Sequence, residues 1–82
     1  MSRNNTPKPA TMSFHSQREK ELIQALVDSV SDKAHHFGAA MASVGCHYGV
    51  NYNRRVGEEV ERLNLSPDLA AEVRNQAWGR LH

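Results

Sequence analysis

The sequence predicts an all-α protein: one long amphipathic helix followed by two shorter ones, in a helical hairpin or three-helix arrangement, paired as a dimer. Three observations carry this. Nine apolar residues, Leu22, Ile23, Leu26, Val27, Val30, Ala34, Phe37, Met41 and Val44, recur with helical spacing. At 100° per residue they fall within an arc of about 140°. Two breaks rich in Gly, Asn, Ser and Pro follow, near 49–53 and 64–67, and no stretch shows the alternation of a strand.

Residues 1–15 read as a disordered N-terminal arm. They are rich in Asn, Thr, Ser and Pro, with too few apolar groups to offset the entropy of ordering. Residues 16–82 read as a single helical domain. Its start is marked by Ser16-Gln17-Arg18-Glu19, a capping box in which the Ser hydroxyl and the Glu carboxylate each satisfy a free amide of the first turn. The first helix is placed at about 17–47, which makes it about 45 Å long. Gly49 is the expected stop, because glycine enters the left-handed region without a Cβ clash. Gly38 and Gly45 are places to kink or fray.

Asn51 or Asn53 is expected to cap a second helix at about 52–64, with a thin stripe of Tyr52, Val56, Val60 and Leu63. Gly57 costs that helix about 1 kcal/mol relative to Ala, so a close helix contact is expected there. The third helix, about 67–81, has Ser66 as cap, Pro67 at its first position and Asp68 near the positive end of its dipole. Leu69, Ala70, Val73, Ala77 and Leu81 share one face, with Trp78 beside it. Laid end to end, the two short helices match about one length of the first.

Composition narrows the function classes. The chain has 82 residues, enough for one domain, and is 39% apolar and 23% charged. No apolar run approaches the ~20 residues that span a bilayer, and the N-terminus lacks the apolar core of a secretory signal. Cys46 is the only cysteine, so no internal disulfide forms, which fits a reducing, cytoplasmic location. The triplets at Asn4 and Asn64 then read as chance glycosylation matches. Formal net charge is +1, unlike the strongly basic modules typical of nucleic-acid binding. Arg3 and Lys8 make the arm weakly basic, while the rest is balanced.

Residues 35–49, HHFGAAMASVGCHYG, hold three of the five histidines and the cysteine. On one continuous helix His36 and His47 lie about 16 Å apart along the axis. A zinc ion needs its ligand atoms at about 2.0–2.3 Å, so they cannot share one. There is also no CxxC, HxxxH or HExxH spacing. The imidazoles therefore read as a solvated polar face, with no metal and no cofactor expected. The small residues are more informative. Ala34, Gly38 and Ala42 recur every four positions, which lets another helix backbone approach closely. A modest core and a wide apolar arc point to self-association. The expected packing and dimer surface is Leu26, Val30, Ala34, Phe37, Gly38, Met41 and Ala42.

No phosphate loop or nucleophile motif occurs, and adjacent Glu58 and Glu59 diverge on a helix, so the chain reads as non-enzymatic. The favoured reading is a small interaction or regulatory module, an adaptor or inhibitor that binds a protein partner, with Phe14, Tyr52 and Trp78 as candidate anchors. The alternative is a DNA-binding regulator. Residues 46–56, CHYGVNYNRRV, resemble the middle of a helix-turn-helix, with Asn51, Tyr52, Asn53, Arg54 and Arg55 suited to base edges and phosphates. Against it, Arg55 and Glu58 fall where that motif buries apolar residues, and Glu58, Glu59 and Glu61 would repel phosphate. Arg54 facing Glu58 and Arg55 facing Glu59 would be ordinary helix-surface pairs.

Overall fold

The computed structural model describes residues 16–81. Three helices follow in order, α1 (Gln17–Ser43), α2 (Tyr48–Arg62) and α3 (Pro67–Gly79), with no strand among the described residues. No helix among these residues is long and apolar enough to cross a membrane. The arm expected at 1–15, with Phe14, lies outside the described residues.

The capping box forms as its residues demand. Ser16 Oγ accepts from the Glu19 amide at 3.1 Å, and the Ser16 amide donates to Glu19 Oε1 at 2.8 Å. From there α1 buries Ile23, Val27, Val30, Ser31, Ala34 and Gly38 on one face. Leu22 and Val44, at the margins of the predicted stripe, are exposed. Val44 is not helical at all: it is the residue at which α1 ends.

That end comes four residues before the predicted one. Gly45 takes φ +89°, the Cys46 amide donates to Met41 O at 2.9 Å, and the Gly45 amide donates to Ala42 O at 3.0 Å. This pair of bonds is the Schellman motif, which satisfies carbonyls the helix end leaves free. Gly45, not Gly49, supplies the left-handed residue. Gly49 lies inside α2, which starts at Tyr48 instead of near 52. Its cap is His47, whose Nδ1 accepts from the Val50 amide at 3.2 Å. Asn51, one of the two expected caps, instead donates from its side chain to His47 O at 2.6 Å.

Asn64, at φ +52°, turns the chain from α2 into α3. Pro67 opens α3 with Asp68 in its first turn, but the Ser66 side chain makes no cap bond. Its carbonyl accepts the Ala70 amide at 2.8 Å. The two short helices do not lie end to end along α1. They fold back on each other, so that Tyr52 near the start of α2 meets Ala77 near the end of α3. The hairpin covers the inner face of α1, and the core is Ile23, Val27, Val30 and Ala34 against Tyr52, Val56, Val60, Val73 and Ala77. Gln24, Asp28 and Arg80 stitch its flank: Gln24 Nε2 donates to Gln76 Oε1 at 2.7 Å, and Arg80 donates to Gln24 at 3.0 Å and to Asp28. Gly57 has no neighbour within 4 Å of a Cβ position, so the close contact expected there is absent. Trp78 stays partly exposed beside the Arg74 guanidinium, 5.5 Å away.

The Tyr52 ring is fully buried at the meeting point of the helices. Its hydroxyl donates to Ala77 O at 2.6 Å, which spends its one proton. Ser31 Oγ, 3.0 Å away, is then the donor in their contact. Tyr52→Phe removes both bonds without opening a cavity. The expected cost is about 1–3 kcal/mol, the penalty for stripping buried polar partners. A urea melt checks it; unchanged stability would show that the hydroxyl does not tie the helices.

Candidate functional site

The α1–α2 corner gathers most of the residues singled out above. Gly38 is buried under the first residue of α2. A Cβ there would meet the Tyr48 ring at 3.1 Å and the Tyr48 carbonyl oxygen at 3.3 Å. A side chain there would require Tyr48 to give by a few tenths of an ångström, and glycine avoids that. Tyr48 and Tyr52, four apart, lie on the same side of α2, their rings stacked at 14° with centroids 6.2 Å apart. His35 completes the cluster: its ring is 4.6 Å from that of Tyr52, and its Nδ1 is hydrogen-bonded to the Tyr48 hydroxyl.

The three histidines of this region therefore do three different things. His35 is half-buried among tyrosines, His36 is exposed with Asp32 Oδ2 3.9 Å from its Nδ1, and His47 caps α2. The solvated position expected of them holds for His36 and His47, which are exposed, and fails for His35. Cys46 is exposed. Among the described residues no three His, Cys, Asp or Glu side chains come together to hold a metal ion.

Of the residues read as a packing and dimer surface, Val30, Ala34 and Gly38 are buried within the chain itself. Leu26 is partly buried and packs on the core, Phe37 and Met41 are half-buried, and Ala42 is exposed. The hairpin of α2 and α3 thus occupies the stripe from which a second copy was to be recruited.

The residues read as nucleic-acid contacts also divide. Asn51 and Tyr52 are buried, the latter as a core residue, so neither side chain is presented to a base or phosphate. The early start of α2 rotates them inward. Tyr52 is likewise removed as an exposed anchor. Asn53 and Arg54 are exposed, and Arg55 is half-buried.

Both arginines are engaged. Arg54 Nε lies 3.6 Å from Glu58 Oε2, and Arg55 Nε lies 3.1 Å from Glu58 Oε1. The Arg55 guanidinium sits over the Phe37 ring, 4.1 Å from its centroid, with Arg54 at 5.7 Å. Cation–π contact of this kind favours a guanidinium held flat on a ring. Glu59, buried, is ringed by three bases: Arg62 Nη1 at 3.1 Å, Arg55 Nη1 at 3.5 Å and Lys33 Nζ at 3.7 Å. A buried carboxylate needs such partners, because losing water costs several kcal/mol if nothing replaces it.

Three features of this corner were missed in the sequence. The cap at His47 was missed because histidine is not among the strong capping residues. The tyrosine pair was signalled only by its spacing of four. The third is a gap: from Ala34 through Asn53 there is no Asp, Glu, Lys or Arg. No family model, curated protein or solved structure matches the chain.

Gly38→Leu puts a branched side chain where the Tyr48 ring and carbonyl now lie. Overpacking of this kind costs about 1–3 kcal/mol. The expected result is a lower denaturant midpoint together with a changed near-ultraviolet signal from the displaced tyrosine. A midpoint equal to that of the parent chain would mean that the crossing has slack.

Proposed function

We propose that this chain is a small non-catalytic helical regulatory module, an adaptor or inhibitor, that acts as a homodimer joined through the uncharged α1–α2 corner. The observation that carries the reading is the distribution of charge over the fold. Charged residues make up 23% of the chain, yet none lies between Ala34 and Asn53. On the outer side of this stretch Ala39, Ala40, Ala42, Val44 and Val50 are exposed, next to half-buried Met41. Val44 and Val50, on either side of the turn, are 72% and 62% exposed.

Interface centres are depleted of charge and enriched in apolar contact. A neutral surface has a further property: it meets its own copy without like-charge repulsion. A two-fold interface sets the same patch against itself, so this property favours a second copy as the occupant. The small side chains Ala39, Ala40, Ala42 and Ser43 allow two helices to approach closely. Val30, Ala34 and Gly38 serve the intrachain core, which leaves the outside of the corner as the dimer surface in this reading. A protein partner would be recruited by the dimer. The exposed, unpaired Cys46 supports a reducing, cytoplasmic setting.

The DNA-binding alternative retains Asn53 and Arg54, with Arg55 partly accessible. It is disfavoured because Asn51 and Tyr52 are buried and exposed Arg54 is paired with Glu58.

Light scattering over a concentration series tests the dimer. The parent chain is expected to show twice its monomer mass. Val44→Asp with Val50→Asp should return it to one mass unit without loss of helix signal, since both side chains are exposed. A monomer at every concentration overturns the homodimer. Titration of mixed duplex DNA across a salt series separates the alternative. Binding with several released counterions, lost in Arg54→Ala with Arg55→Ala, would replace the present reading.

A further inference from the structure

We infer that the cleft between α1 and α2 lined by Lys33, His36, Phe37, Arg55, Glu59 and Arg62 is a binding site for a phosphomonoester. This does not rest on the dimer reading, because the basic side chains of α2 that form it follow the uncharged stretch.

The cleft has a volume of about 470 Å³. It is a shallow groove largely open to solvent, so a ligand held there keeps much of its surface in water. Its charge is organised from below. The Glu59 side chain is only 7% exposed, and both of its oxygens are occupied: Oε2 by Arg55 and Arg62, Oε1 by Lys33. One carboxylate thus gathers three cations, from two helices, that would otherwise repel one another. One positive charge is cancelled and two are left over. Glu58 at the border lies 3.6 Å from Arg54 and 3.1 Å from Arg55, and the opposite charges of Arg54 and Glu58 leave this sum unchanged. Asp32 of α1, 3.9 Å from His36, lowers the surplus to one; its side chain is about as exposed as those of Lys33 and Arg62, so salt screens all three alike. A phosphate anion suits this net positive charge.

Donors remain to hold it. Arg62 has five N–H groups and gives one to Glu59 at 3.1 Å, and Lys33 reaches Glu59 only at 3.7 Å. Their side chains are 67% and 60% exposed, so they can turn toward a ligand. Guanidinium forks suit phosphate oxygens, and a lysine adds a mobile point charge. The volume exceeds what a bare phosphate fills, which leaves room for an organic group against the half-buried Phe37. That ring is already held on one side by Arg55, 4.1 Å from its centroid. Glu59 acts as a positioning residue: it holds the bases in place before the ligand arrives and touches no ligand itself.

The test is a nitrogen-15 NMR titration of the full chain at low ionic strength with inorganic phosphate, phenyl phosphate and a short phosphoserine peptide. Saturable shifts confined to Lys33, Phe37, Arg55 and Arg62 are expected, with phenyl phosphate or the peptide binding more tightly than inorganic phosphate. Preference for phenyl phosphate would assign the site to a free small ester, and preference for the peptide to a phosphorylated protein. Arg62→Ala should weaken binding by about fivefold or more, the loss of one charged hydrogen-bonding partner. Its exposure lets the fold survive, as a melting curve will show; Lys33→Ala serves as the second variant. Shifts that do not saturate, that spread evenly over Arg18, Lys20 and Arg74, or that persist in both variants overturn the site.

Discussion

The Tyr52 hydroxyl is where the three helices are joined. It accepts a hydrogen bond from Ser31 of α1 and donates one to the Ala77 carbonyl of α3, while its ring lies fully buried in the core. Valines of all three helices, Val27, Val56 and Val73, are fully buried in the same core and supply non-directional stabilisation of about 1.5–3 kcal/mol each. They would tolerate many rotations of one helix on another. The hydroxyl does not, because its two bonds demand one register of α2 against both neighbours. A small core in which aliphatic contacts supply stability and one polar network supplies uniqueness is consistent with the high stakes of buried hydrogen bonds.

That register is set upstream by the turn at Gly45. Ending α1 at Ser43 and starting α2 at Tyr48 puts Tyr48 on Gly38 and Tyr52 in the core. A later start would have turned other residues inward. The same rotation sends Asn53 and Arg54 outward and brings Arg55 over Phe37. The short turn therefore governs both the packing of the corner and the chemistry of the surface beside it.

The surface is segregated in consequence. The α1–α2 corner carries no formal charge from Ala34 to Asn53, while the rest of α2 carries Arg54, Arg55, Glu58, Glu59, Glu61 and Arg62. Glu59 sits at the base of this charged belt as a buried anion shared by bases of two helices. A pair of that kind contributes little net stability, since desolvation offsets attraction, but it fixes where the bases stand. The uncharged end suits contact with another protein surface, and the belt suits an anion.

The helical class, the count of three helices, the capping box at Ser16 and the inward stripe Ile23, Val27, Val30 and Ala34 were determined by the sequence alone. Each depends on residues within a few turns of one another, which periodicity and capping chemistry report directly. The close approach at Gly38 was legible as a spacing of small residues, though not its partner Tyr48. What only the tertiary structure decided was the choice between Gly45 and Gly49, the cap at His47, and the inward rotation of Asn51 and Tyr52. Both glycines could end a helix locally; the choice went to the one that lets Tyr52 reach Ser31 and Ala77, residues 21 and 25 positions away. The same holds for Glu59, whose partner Lys33 lies on another helix. Local pattern registers neighbours in the chain, and these contacts exist only once the helices have packed.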